Sequence, residues 1–141
     1  MKVFKFGGAS VKNAEGVRNL HKIIRAQNEK LVIVVSAMGK VTNALEEVLN
    51  SFFNRKPDLE ANIQTIVDYH EDIVKELFID RTEVDAKLNL LYTELRDITK
   101  QKPSLSYDYE YDRIVSFGEL ISTTIVAAYI KSQGDNVKFV D

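Results

Sequence analysis

The 141 residues contain no cysteine and no tryptophan, and only two prolines. Without cysteine there is no disulfide framework, no thiolate nucleophile and no zinc–thiolate centre. The two histidines, His21 and His70, stand far apart inside helical patterns and read as helix-surface or boundary residues, not as a metal pair. Neither sign of charge is in excess: 19 Lys plus Arg against 21 Asp plus Glu leave a net −2. No basic stripe is present, which argues against a nucleic-acid partner. Uninterrupted apolar runs are short, so no membrane partner is expected, and Met1 leads straight into a strand pattern with no signal peptide. A cytoplasmic protein is the expectation. What is plentiful is apolar surface, 45% of residues, enough to bury the core of one domain.

The chain is organised around its opening. Val3, Phe4 and Phe6 read as a buried strand that stops at Gly7-Gly8, and a helical pattern starts after Ser10-Val11-Lys12. Adjacent glycines permit a tight turn with open N–H groups, and such groups beside a helix N-terminus form an anion site. Lys5 adds a mobile point charge. A plain turn is the other reading of Gly7-Gly8, and the spacing is not that of a Walker A loop. Asn13 caps a helix over about Ala14 to Gln27, with Val17, Leu20, Ile23, Ile24 and Ala26 as its apolar stripe. Leu31 to Val35 is a continuous apolar run, expected as a parallel strand covered on both faces. It ends in a second small-residue loop, Ser36 to Asn43, where Thr42 is a natural N-cap. Both loops lie at strand carboxyl ends, where open α/β sheets gather ligands.

Two long helical patterns follow, from Pro57-Asp58 to Phe78 and from about Glu83 to Lys100, expected as an antiparallel pair beside the sheet. After the Pro103 loop, Tyr107 to Arg113 reads as an acidic first turn complementing a helix dipole. The helix continues through Ile114, Phe117, Leu120, Ile121 and Ile125 and is expected to be mostly buried. Gly118 and Glu119 stand out in it: a carboxylate there is either paired internally or faces a polar ligand. Gly134-Asp135-Asn136 turns the chain into a third expected strand, Val137 to Val140.

Three stretches carry a family resemblance. Lys5-Phe6-Gly7-Gly8-Ala9-Ser10 resembles the K-F-G-G-T-S opening of the aspartate kinases. Val35-Ser36-Ala37-Met38-Gly39-Lys40-Val41-Thr42-Asn43 is similar to their second-strand loop ending in T-N, and Ser116-Phe117-Gly118-Glu119-Leu120-Ile121-Ser122 to their S-x-G-E-x-x-S helix. Order and separation agree over the whole chain.

The resemblance implies an α/β amino-acid kinase fold, a three-layer αβα sandwich on a mainly parallel sheet. It implies transfer of the γ-phosphoryl group of Mg-ATP to the side-chain carboxylate of aspartate, giving aspartyl-4-phosphate on the route to lysine, threonine and methionine. ATP and Mg2+, the latter held mainly by the nucleotide phosphates, are the implied cofactors. Aspartate is the implied partner, and a homo-oligomer is implied for the full-length parent. Position by position, Lys5 becomes the catalytic cation. Lys5, Phe6, Gly7, Gly8, Ala9 and Ser10 become the ATP and phosphate segment, and Ser36, Thr42 and Glu119 the substrate contacts. Glu119 would take the aspartate ammonium.

Ala9 departs from the family threonine and removes a hydroxyl. The family's kinase domain also runs on through a G-R-G-G-S-D-like segment, an arginine for the substrate α-carboxylate and the strands around adenine, none of which occurs in these residues. Residues 1–141 are therefore expected to be the acceptor-side portion of such a domain, without a complete second domain and inactive alone. The alternatives are a non-catalytic aspartate-binding module, the kinase part of a fused aspartokinase/homoserine dehydrogenase, and a purely structural piece.

Overall fold

The computed structural model describes residues 1–140. Its elements run β1 (Lys2–Phe6), α1 (Ala14–Arg25), β2 (Leu31–Val35), α2 (Val41–Phe53), α3 (Leu59–Leu77), α4 (Thr82–Lys100), α5 (Tyr107–Val115) and α6 (Phe117–Ser132). β1 and β2 pair in parallel, Lys2 beside Leu31 through Phe6 beside Val35. Side chains alternate across a strand. Phe6 and Val35 therefore enter the core while Val3, Val32 and Val34 remain 66%, 43% and 45% exposed. The helices cover one face of this sheet and leave the other bare, so the expectation that Leu31 to Val35 is buried on both faces is corrected.

The helices form for local reasons and settle by packing. The Asn13 side chain accepts from Gly16 N–H at 2.9 Å and fixes the start of α1, as expected. Its buried stripe runs through Ala14, Val17, Leu20 and His21, while Ile23 is exposed. His21 tolerates burial because its Nε2 lies 2.5 Å from Asp135 and its ring packs edge-on against Tyr129. α3 and α4 run antiparallel, joined by Arg96 to Glu60 at 3.0 Å near one end and by Arg81 to Glu71 near the other. α5 starts at Ser106, whose side chain caps Tyr109 N–H at 3.2 Å. α5 and α6 together are long and apolar enough to cross a membrane by length and composition, which short uninterrupted runs did not reveal. Here they pack against α2 and α4 as core helices.

Three further expectations change. Val137 to Val140 joins no sheet: the described residues form a two-stranded sheet only. A strand exists by pairing, and this segment is held instead beside α1 by Asp135, which meets His21 and, at 3.7 Å, Arg25. Gly134, at φ +90°, does make the expected turn. Both histidines are buried rather than superficial. Thr42 is not an N-cap: α2 begins at Val41, so Thr42 lies in its first turn.

Candidate functional site

The two strands end side by side, and so do the loops that follow them. Phe6 O accepts from Ser36 N–H at 3.0 Å, which continues the pairing one residue past β2. Beyond Phe6 the chain makes two successive turns, Ser10 N–H to Gly7 O at 3.0 Å and Val11 N–H to Gly8 O at 3.3 Å. The N–H groups of Gly8 and Ala9 find no acceptor among the described residues. Gly39 N–H donates to Gly8 O at 2.9 Å and ties the second loop to the first. The fit is close enough to require glycine: a Cβ on Gly8 would stand 2.8 Å from Ala37 O and 3.0 Å from Gly39 O. At Gly7, by contrast, a Cβ would meet nothing within 4 Å, so that side of the turn is open.

α6 completes the arrangement. A Cβ on Gly118 would stand 2.8 Å from Ala37 Cβ and 3.1 Å from Leu45 Cδ1, so the first turn of α6 lies directly on the second loop and α2. Glu119 and Thr42, the neighbours of Gly118 and Val41, are thereby brought to one end of the sheet. Lys5, Gly7, Ala9, Ser10, Thr42 and Glu119 are exposed, Gly8 and Ser36 are half-buried, and Phe6 is in the core. Phe6 thus shapes the turn from beneath through its backbone. Glu119 makes no ion pair among the described residues, so the internally paired reading falls.

The electrostatics favour an anion. Lys5, Lys12 and Lys40 are exposed and enter no ion pair among the described residues. The N-terminus of α2 has no side-chain cap and no acid in its first turn; Val41 N–H turns back to Met38 O at 3.0 Å, while the N–H groups of Thr42 and Asn43 find no acceptor among the described residues and the positive end of the dipole is left open. Lys12 and Lys40 escaped the sequence reading because each is a single surface lysine there. Their relevance appears only when Lys12 Cβ is found 3.5 Å from the place a Gly39 Cβ would take. Among the described residues no cluster of three or more His, Asp or Glu is arranged to hold a metal ion.

Among the described residues the buried carboxylate is Glu110, not Glu119. Glu110 is fully buried on α5, its Oε1 3.4 Å from Arg113 and its Oε2 without a partner. Read as an acid at a helix start, it gave no sequence signal of burial. A groove of about 1010 Å³ lies elsewhere, between α4 and the α5–α6 junction, with Leu90, Asp97, Arg113 and Leu120 among its walls. It is broad and largely apolar. The loop end is therefore the better candidate for anion chemistry.

Comparison with known proteins agrees with this geometry. The model of the amino acid kinase family matches residues 1–141. Aspartokinase 1 (chloroplastic) of Arabidopsis thaliana is 35% identical over 144 residues, covering 99% of this chain and 25% of its own length. Escherichia coli aspartokinase III in complex with lysine and aspartate superposes with a TM-score of 0.85 at 20% identity, over 96% of this chain and 30% of that one. The same enzyme in complex with aspartate and ADP gives 0.83 at 20% identity, over 95% and 29%. At that identity the likeness concerns the fold. The chain spans about a quarter of the length of the curated relatives it matches. With the family model matched from end to end and the two glycine-tied loops at the strand ends, the chain belongs to the amino acid kinase family.

Proposed function

We propose that this chain is the acceptor-side part of an aspartate kinase, which transfers the γ-phosphoryl group of Mg-ATP to the side chain of aspartate. The observation that carries the reading is the pair of loops joined by Gly39 N–H and Gly8 O, with open N–H groups and unpaired lysines at the strand ends. A relative crystallised with aspartate and ADP at a TM-score of 0.83 supports it.

In this reading a carboxylate oxygen of aspartate attacks the γ-phosphorus. The new O–P bond forms as the bond to the bridging oxygen breaks, and that electron pair leaves on ADP. Two anions must approach, so the protein's work is positioning and charge neutralisation. Lys5 and the open N–H groups of Gly8 and Ala9 would offset charge that shifts in the transition state. Thr42 and the open first turn of α2 would receive a substrate carboxylate, with Ser36 in the same crevice, while Glu119 would pair with the ammonium group. Magnesium, held by the nucleotide, would neutralise phosphate charge. The bare Val3, Val32 and Val34 face is where further parts of a kinase domain would pack.

Coupled detection of ADP tests this. In the parent kinase that the reading implies, Lys5→Ala is expected to lower kcat by about a hundredfold with a smaller change in aspartate KM. A near-normal kcat removes Lys5 from the mechanism. The 141-residue chain alone is expected to show no aspartate-dependent turnover, and turnover abolished by Lys5→Ala would show that this part suffices.

A further inference from the structure

The glycine loops are held by something outside the three motifs. Tyr69 lies on α3, in a helical stretch whose charges read as solvated faces. Its hydroxyl donates to the carbonyl oxygen of Lys12, 57 residues earlier and just before the Asn13 cap of α1. The same hydroxyl stands 2.6 Å, and the ring carbon bearing it 3.5 Å, from the place a Cβ on Gly39 would occupy. Gly39 has φ +52°, a conformation that glycine adopts without strain. One side chain therefore touches both connections: β1–α1 through a hydrogen bond and β2–α2 through van der Waals contact. The ring is fixed from behind by His70, whose own ring lies edge-on at 5.2 Å and whose Nδ1 bonds Ile66 O at 2.7 Å.

We propose that Tyr69 is a positioning residue for the anion-facing loops, clamping Lys12 and Gly39 so that the Gly7–Ser10 turn and the N-terminus of α2 keep one relative placement. What the loops bind rests on the proposed function; that Tyr69 sets their geometry does not. Partial burial pushes the hydroxyl above its ordinary pKa, so it remains a donor at neutral pH. A rigid clamp matters here because stabilisation by pre-placed donors is lost when the donors can drift.

The test compares Tyr69→Phe and Tyr69→Ala with the unaltered chain, using backbone amide hydrogen exchange and titration with Mg-ATP. Tyr69→Phe is expected to speed exchange of the Gly39 amide by about fivefold, the factor one net hydrogen bond carries, while the slowest amides of α6 keep their rates. It should weaken Mg-ATP by a similar factor, and Tyr69→Ala by more. Gly39→Ala should weaken Mg-ATP less in the Tyr69→Ala background than alone, because the group it strikes has gone. Uniformly faster exchange throughout the core, or unchanged exchange at Gly39, would overturn the clamp and leave Tyr69 an ordinary packing residue. Unaltered chain that ignores Mg-ATP would overturn the proposed ligand instead, with the Gly39 amide still deciding the role of Tyr69.

Discussion

The loop end of the sheet and the α3–α4 hairpin are held together in opposite ways. At the loop end the contacts are backbone against backbone, and glycine is required because any side chain collides with a carbonyl, as at Gly8. In the hairpin the contacts are long side chains spanning helices that do not touch closely: Arg81 to Glu71, and Arg96 to Glu60 and Gln64. The first region should be intolerant of volume and indifferent to salt, the second the reverse. Where they meet, at Tyr69 and His70, the hairpin reaches into the loops.

The largest effect separating the two regions should come from protonation. Burial pushes the His70 imidazole down to about 4, and its Nε2 has no partner. The folded state therefore favours the neutral ring. The stability this contributes is complete above the unfolded pKa near 6.5 and is lost as pH falls from there through about 4. Linkage makes the loss about 3 kcal/mol. Urea unfolding between pH 7 and 4 should show it, and His70→Gln should flatten the profile in that window. An equally steep profile in the variant would assign the acid sensitivity to other groups.

Next in size is the contrast between neighbouring glycines. Gly8→Ala forces a methyl against the carbonyl oxygens of Ala37 and Gly39 and should destabilise by about 1–3 kcal/mol. Gly7→Ala, with open space around it, should change stability by less than about 0.5 kcal/mol. Equal losses at the two positions in urea melts would mean that the loops are not packed as described. The smallest effect belongs to the hairpin surface. Arg96→Ala removes the contacts to Glu60 and Gln64 and should cost about 0.5 kcal/mol, shrinking further in high salt. A loss of several kcal/mol there would erase the distinction between the regions.

The loop end was legible in the sequence because its residues have few alternative uses: an apolar run ending in Gly7-Gly8, and a second ending in Ser36 to Gly39, read as strand and turn without tertiary information. The hairpin's existence was legible from the spacing of Ile63, Ile66, Ile73 and Leu77, but its role was not. Periodicity marks a face as inward without saying what it meets, so Tyr69, His70 and Glu110 passed as ordinary members of helices. Val137 to Val140 failed for a related reason: its β-branched and aromatic residues favour extended backbone, yet pairing is decided by a distant neighbour. Glu119 was expected in a buried helix, and the helix is buried, but Glu119 lies on the part of its circumference that faces solvent.

The central claim is that the loop end binds a phosphate-bearing ligand. The direct measurement is an amide NMR titration of 15N-labelled 141-residue chain with Mg-ATP and then aspartate. The account predicts shifts concentrated at Gly7, Gly8, Ala9 and Ser10, strongly reduced in Lys5→Ala. Aspartate should then shift the first turn of α2 at concentrations no lower than roughly millimolar. Shifts confined to the groove between α4 and α6, or no shifts at the glycine turn with Mg-ATP well into the millimolar range, would contradict it.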